Sequence, residues 1–367
     1  MAFYDRNGWP RLGRGLLLGV LGIVCLATLT SCHWLQDSIH PDFFKTFIDV
    51  NRRSDDSAAT VVFDPQMRLL AVGRESGLLE LWDTRQPAAR IVREAHDVRT
   101  QFIAFGRDDG IVLTASMFDS HMVDPEAGPR VWDAYTGELL LTLTGMNGPG
   151  PIAASPVKGL YLLAESSQLW IYDHSKRKLV GAPYEVEHSG QVTAITSDRA
   201  SGLIAVGSSN GDLILMRLVV ATEPPRLEVV KQIAPYGREV RTDVLTLALL
   251  DEGRRLVSVG WLPEARRTDS QAEISEWDTD TMQRRRTYPF TLQTVNWAAA
   301  TPDSHWLVLA GLESTRGRIE LVDLQSSIAW RYRANTSHPR AVLLPEARAG
   351  LILQAGGVTK INYLDQE

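Results

Sequence analysis

The sequence predicts an all-β fold built from a repeated unit, and three observations indicate it. Residues 63–83, FDPQMRLLAVGRESGLLELWD, read as strand, polar turn, strand, short turn and strand. Similar units return along most of the chain, and no long segment with a 3.6-residue apolar period competes with them. Because one such unit cannot bury an apolar face alone, the copies must stack on one another.

The spacing of the units predicts the blades of a β-propeller. Their endings recur at intervals of about 40 to 60 residues, around the period of about 40 to 45 that is typical of four-stranded blades. The endings begin at Trp82, Trp132, Tyr172, Met216, Trp277, Val322 and Tyr363. Seven endings predict a seven-bladed β-propeller of four-stranded antiparallel blades.

The last unit ends too near the C-terminus to contain its own fourth strand. Residues 43–50, FFKTFIDV, can alternate as a strand, with Phe44 and Ile48 on one side and Phe43 and Phe47 on the other. We therefore expect this N-terminal strand to close the last blade, which would also protect an exposed edge.

The N-terminus resembles that of a bacterial lipoprotein. Arg11 and Arg14 precede an uncharged apolar run, residues 15–29, which is typical of a secretory signal and short for a membrane span. The following LTSC sequence, which ends at Cys32, resembles the lipobox. The resemblance implies cleavage before Cys32 and lipidation of its thiol and new amino group, since two or more acyl chains give stable anchoring. The alternative is an ordinary cleavage site or signal anchor in which Cys32 is a small apolar residue.

These features divide the chain into a cleaved signal peptide at residues 1–31, a lipidated tether at 32–42 and a propeller domain at 43–367. In the lipoprotein family an Asp after the cysteine tends to retain the protein in the inner membrane, whereas His33 stands here. The resemblance thus implies an outer-membrane location with the domain facing the periplasm. Cys25 would leave with the signal, so we expect no disulfide in the mature chain.

Residues 43–367 resemble the WD-repeat (WD40) propeller family. Trp-Asp pairs end three units, at Trp82, Trp132 and Trp277, and His96, His188 and His338 stand where the family has Gly-His. The resemblance implies that the three tryptophans pack inside blades. It also implies hydrogen-bonded sets of His, Ser or Thr, Asp and Trp, which are incomplete in this sequence.

Insertions between the second and third strands of three units indicate a binding face. They cover residues 117–129, 262–272 and 313–317, and equivalent connections in a propeller emerge on the same face. Apolar anchors beside charges suit a protein interface. The candidate partner-binding residues are Met117, Phe118, His121, Met122, Arg266, Arg267, Glu313 and Arg316. The alternative is a set of solvated loops with no functional role.

The other chemical signals are weak, and we expect neither an enzyme nor a cofactor. Residues 207–211 match G-x-S-x-G, but they lie between two predicted strands and are expected to form a tight turn. His121 lacks the ligand spacing of a metal site. Arg284, Arg285 and Arg286 are expected to guard an edge strand, with contact to anionic lipid as the alternative.

The net charge of -6, with its positive residues scattered, excludes a nucleic-acid footprint. The expected function is that of a periplasmic lipoprotein, anchored to the membrane by lipid, that serves as a non-catalytic scaffold for another envelope protein. One alternative is a propeller hydrolase or lactonase, which would need carboxylates or histidines that converge at the channel mouth. Another is a sensor of a small ligand in the channel.

Overall fold

The chain folds as a β-propeller of four-stranded antiparallel blades. The computed structural model describes residues 42–51, 56–66, 68–116, 128–146, 149–186, 190–235, 243–261, 272–300, 306–313, 316–333, 340–344, 349–354 and 357–362. One short helix, α1 (Phe43–Asn51), precedes the strands. The described part of the chain contains no helix long and apolar enough to cross a membrane.

Six sheets each consist of four strands that pair in sequence order. The first blade consists of β1 (Ala58–Phe63), β2 (Leu69–Arg74), β3 (Leu78–Asp83) and β4 (Arg90–Glu94). The second consists of β5 (Thr100–Phe105), β6 (Ile111–Ser116), β7 (Arg130–Asp133) and β8 (Leu139–Thr142). The third consists of β9 (Pro149–Ala154), β10 (Leu160–Glu165), β11 (Gln168–Asp173) and β12 (Lys178–Glu185).

The second half of the chain repeats this arrangement. The fourth blade consists of β13 (Val192–Ser197), β14 (Leu203–Ser208), β15 (Leu213–Val219) and β16 (Arg226–Ile233). The fifth consists of β17 (Val244–Leu250), β18 (Arg255–Trp261), β19 (Ala272–Asp278) and β20 (Arg284–Tyr288). The sixth consists of β21 (Thr294–Ala300), β22 (Trp306–Glu313), β23 (Arg316–Asp323) and β24 (Ala329–Arg333). A last sheet has three described strands, β25 (Arg340–Leu344), β26 (Ala349–Gln354) and β27 (Gly357–Asn362).

The sheets close into a ring around their first strands. β1 contacts β5, β5 contacts β9, and the series continues through β13 and β17 to β21. β25 contacts both β22 of the sixth blade and β1 of the first blade. The first strands therefore surround the centre, and the fourth strands lie at the periphery.

The prediction of seven four-stranded blades is wrong, because the structure contains six. The last sheet has three described strands, and the segment expected to supply its fourth strand is the helix α1. Phe43 and Phe47 lie four residues apart on one face of this helix, and both are fully buried. The four-residue spacing of these two phenylalanines fits a helix, and the alternation of residues 43–50 fits a strand equally well. Here the packing of both side chains in a buried cluster with Trp82 selects the helix.

Helix α1 packs where the ring closes. Its two phenylalanine rings stack with their centroids 5.9 Å apart, and Phe47 meets Trp82 of β3 edge-on at 5.1 Å. Phe43 and Phe47 share a buried cluster with the first blade, and the helix also contacts β27. Asn51, at the end of the helix, hydrogen bonds the buried guanidinium of Arg74. The helix thus joins the last sheet to the first blade.

The apolar core lies at the seams between neighbouring blades. At the first seam, Leu69 and Leu79 of the first blade pack against Ile103, Val112 and Trp132 of the second. Comparable clusters fill the four following seams, from the second blade to the sixth. Each blade is therefore stabilised by the next one, as expected for a repeat fold.

The predicted unit endings are the ends of third strands. β3, β7, β11, β19 and β23 end at the Asp that follows the predicted residue, whereas β15 continues past Met216 to Val219. Tyr363 lies outside the described residues. Trp82, Trp132 and Trp277 are at most 3% exposed, which confirms their packing role.

Candidate functional site

The antiparallel blades give the ring two distinct faces. Connections between second and third strands emerge on one face, which we call the insertion face. Connections between first and second strands, and between third and fourth strands, emerge on the other, which we call the opposite face. Each face carries one candidate site.

The two longest insertions belong to the insertion face. Residues 117–127 lie between β6 and β7 of the second blade, and residues 262–271 lie between β18 and β19 of the fifth. Both segments are outside the described residues, and with them the candidates Met117, Phe118, His121, Met122, Arg266 and Arg267. The N-terminal segment that contains Cys32 is also outside.

Hydrogen bonds and an ion pair fix the residues that directly follow each insertion. After the first insertion, the carbonyl of Pro129 accepts a hydrogen bond of 2.8 Å from the Leu143 amide. Nη1 of Arg130 donates to the carbonyl of Glu94 at 3.3 Å and so reaches the first blade. After the second insertion, Glu273 pairs with Arg284 of β20 at 3.0 Å. Both insertions are therefore connected to well-supported strands.

The expected third insertion, residues 313–317, is mostly strand. Glu313 is the last residue of β22, Arg316 is the first of β23, and the two are paired across the hairpin. Glu313 forms an ion pair of 2.5 Å with Arg318. Glu313 and Arg316 therefore belong to a hairpin of two eight-residue strands, and the connection between them is only residues 314–315.

The opposite face contains the mouth of a central cavity of about 740 Å³. The cavity is lined by the first strands of blades one to five and by the turns that follow three of them. Apolar residue types predominate along its strands, and Phe63, Ile195 and Leu249 are partly exposed there. A volume of this size is within the range of small-molecule sites, about 300 to 1,000 Å³.

Polar and charged side chains from three blades meet at this mouth. Nη2 of Arg107, in the turn after β5, donates to the carbonyl and to Oγ of Ser197 in β13, at 3.2 and 3.0 Å. Asp108 pairs with Arg199 of the fourth blade at 3.5 Å and accepts a hydrogen bond from Gln66 of the first. The mouth is therefore bridged between the first and second blades and between the second and fourth.

Burial sets the electrostatics of Arg107. Desolvation lowers the pKa of its guanidinium from the ordinary value, while the nearby carboxylate of Asp198 acts in the opposite direction. Asp198 itself accepts from the amide and the hydroxyl of Ser201, both at 2.7 Å. Arg107 remains a cation at neutral pH, since arginine keeps its proton far above that range.

The turn at residues 207–211 joins two strands, as predicted. Oγ of Ser208 accepts hydrogen bonds from the amides of Asn210 and Asp212, at 3.2 and 3.1 Å. Oγ of Ser209, the serine in the nucleophile position of the motif, accepts from the amide of Gln191 at 3.0 Å. The residues that match G-x-S-x-G thus serve a tight turn between β14 and β15.

Each of the three arginines of β20 forms an ion pair within the fifth blade, and Arg286 also donates hydrogen bonds to Leu324 and Ser327 of the sixth. Arg284 pairs with Glu273 at 3.0 Å, Arg285 with Asp278 at 2.5 Å and Arg286 with Glu276 at 3.0 Å. These ion pairs favour the edge-strand interpretation over contact with lipid. Among the residues that the structure describes, no group of three or more His, Cys, Asp or Glu could hold a metal ion.

Sequence reasoning predicted the insertion face and named the channel as an alternative site, but it did not find the residues that meet at the channel mouth. The insertion face follows from connection lengths, which the sequence shows directly. The channel mouth depends on the contact between Arg107 and Ser197, which are 90 residues apart. The available signal was the recurrence of polar residues, Gln66, Arg107 and Arg199, in the turns after three first strands.

No model of a known protein family matches the chain, and no curated protein matches it either.

Proposed function

We propose that the protein is a non-catalytic interaction module of the WD-repeat type, in which the insertion face holds another envelope protein. One observation carries the proposal. Two long insertions, at residues 117–127 and 262–271, both fall between the second and third strands of their blades. Equal placement sends both toward the same face, where two insertions can contact one partner.

The composition of the insertions supports binding to a protein. The first combines Met117, Phe118 and Met122 with carboxylates, and the second contributes Arg266 and Arg267. Apolar anchors and arginine are enriched in the buried centres of protein interfaces. The partner would be a protein with an apolar patch bordered by acidic groups.

Hydrogen bonds in the second and fifth blades support the WD-repeat resemblance. Oγ1 of Thr114 is 3.0 Å from Nε2 of His96 and accepts a 3.0 Å hydrogen bond from Nε1 of Trp132. In the fifth blade, Nε1 of Trp277 donates to Oγ of Ser258 at 2.8 Å. These side chains correspond to the His, the Ser or Thr, and the Trp of the hydrogen-bonded sets that the WD-repeat family uses.

The N-terminal sequence supports a lipid anchor at Cys32 in the outer membrane, with the propeller in the periplasm. Mass spectrometry of the membrane fraction should find a chain that begins at an acylated Cys32. A Cys32→Ser variant should lose stable membrane attachment, because no acyl chain can be added. An unmodified and uncleaved N-terminus would contradict this part of the proposal.

Replacement of the insertions tests the binding function. Residues 117–127 and residues 262–271 are each exchanged for a short Gly-Ser linker, and proteins that copurify with the full chain from crosslinked cells are compared. Both exchanges should remove the same partner. Tyr135→Ser, which alters an exposed residue on the opposite face, is the control and should retain it. Retention of the partner by both linker variants would refute the proposed face.

A further inference from the structure

Arg107 is a cation at the mouth of a cavity that is lined by apolar and polar residues of the first strands and by charged residues of the turns that follow them. Its only hydrogen bonds to described residues run from Nη2 to Ser197. It makes no ion pair within the described part of the chain. Nε and Nη1 are not among the buried atoms that lack a partner, so a molecule in the cavity or solvent can reach them.

The carboxylates near Arg107 are occupied by other groups. Asp108 is bound by Arg199 and Gln66, and one oxygen of Asp198 accepts both hydrogen bonds from Ser201. Ser197 is held in turn, since its hydroxyl donates to the carbonyl of Ala154 at 2.6 Å. The guanidinium is thus fixed in place by neutral groups, and its charge has no directly bonded counterion among the described residues.

We propose that this mouth binds a small monocarboxylic acid with an apolar body. Its carboxylate accepts hydrogen bonds from the donors of Arg107 that Ser197 leaves open. Its apolar part lies along the first strands, beside partly exposed residues such as Phe63, Ile195 and Leu249. This site is on the opposite face and does not depend on the interaction proposed for the insertion face.

The charges at the mouth favour a single negative charge on the ligand. Asp108 and Asp198 both line the cavity, and they would repel the second charge of a phosphate monoester. Guanidinium groups bind the planar carboxylate well, and a partly desolvated hydrogen bond to a charge is stronger than one in water. An uncharged ligand of the same shape would leave the cation without a counterion.

Calorimetric titration of the purified full chain tests the site. The probes are octanoate, octan-1-ol and octyl phosphate, which share one apolar chain and differ in the head group. Octanoate should bind saturably with one site per chain and more tightly than the other two. Arg107→Met should weaken octanoate by at least about tenfold and leave octan-1-ol unchanged, because it removes a charged hydrogen-bond donor and keeps the apolar stem.

Two further variants separate the charge from the fold. Arg177→Met is the matched control, since Arg177 also donates to a backbone carbonyl, that of Leu140 at 2.7 Å, but lies away from the cavity; it should bind octanoate like the parent chain. Arg107→Lys should restore part of the affinity. Three results would overturn the proposal: no saturable binding of millimolar octanoate by the parent chain, equal affinity for octanoate and octan-1-ol, or an Arg107→Met variant that is folded and unchanged.

Discussion

His96 links two blades through a single buried ring. It follows β4 of the first blade, is 7% exposed, and approaches Oγ1 of Thr114 in the second blade. Because the Thr114 oxygen accepts from Trp132, its hydroxyl proton is available for Nε2 of His96. Burial, and then the charge of Arg130, lowers the pKa of His96 to about 3. The ring is therefore neutral in the folded protein.

This shift predicts a loss of stability in mild acid. An unfolded chain binds a proton at His96 below about pH 6.5, while the folded chain resists it down to about 3. The neutral ring contributes its full share of the unfolding free energy above about pH 6.5, and this share declines as the pH falls below that value. Lowering the pH from about 7.5 to about 5.5 should therefore lower the unfolding free energy by about 1 kcal/mol.

Urea unfolding of the parent chain and of His96→Gln at both pH values measures this effect. The variant should be less stable at the higher pH and should show a smaller decrease toward the lower one. Val220→Ala, at an exposed position that does not titrate, should keep the pH dependence of the parent chain. An unchanged pH dependence in His96→Gln would argue against a buried neutral His96.

Glu276 is a buried carboxylate at the centre of an ionic cluster. It is 3% exposed and lies 3.0 Å from Nη1 of Arg255 and 3.0 Å from Nε of Arg286. Glu276→Gln should lower the unfolding free energy by about 3 kcal/mol, because Arg286 loses its counterion and Arg255 keeps only its pair with the more exposed Asp251. Glu228→Gln breaks the exposed pair with Arg226 and should cost less than about 1 kcal/mol. Equal costs in urea unfolding would show that burial does not strengthen the cluster.

At the scale of elements, helix α1 stabilises the closure of the ring. Phe47 is fully buried against Trp82, whereas Lys45 of the same helix is exposed. Phe47→Ala should lower the unfolding free energy by about 3 to 5 kcal/mol, the usual range for loss of a buried aromatic ring. Lys45→Ala should change it by less than about 0.5 kcal/mol. Similar values for the two variants, measured by urea unfolding, would mean that the helix does not support the ring.

The strands were more predictable than this helix. Five third strands end at the Asp that the sequence indicated, since a strand-turn repeat is a local pattern. Residues 43–50 satisfy a strand alternation and also place Phe43 and Phe47 on one helical face. Only their packing against Trp82 decides between the two. The blade count was wrong because it took the seventh ending for a complete blade, whereas the segment expected to supply the fourth strand is a helix.

At the scale of the whole molecule, the ring brings distant turns together. Ser197 and Arg107 meet because blades two and four border the same channel. A sequence pattern assigns each turn to its own blade but contains no information about which turns face each other across the centre. Connection lengths are visible without the fold, so insertions on one face could be predicted, whereas the particular residues that meet at the channel mouth could not.

The ring also separates the two proposed activities. The insertion face offers mixed apolar and charged loops to a protein, while the opposite face offers a cavity to a small acid. Arg107→Met should therefore leave partner capture unchanged, and exchange of the insertions should leave octanoate binding unchanged. If folded Arg107→Met lost partner capture, or if a folded insertion variant lost octanoate binding, the two faces would be coupled.

Crosslinking in living cells tests the central claim, partner binding at the insertion face, most directly. A photoreactive residue is placed at Met122 or Arg267 on that face, and at Tyr135 or Arg254 on the opposite face, where both side chains are exposed. The first two positions should yield the same discrete adduct with another envelope protein, and the latter two should not. Equal adducts from both faces, or none from Met122 and Arg267, would contradict the claim.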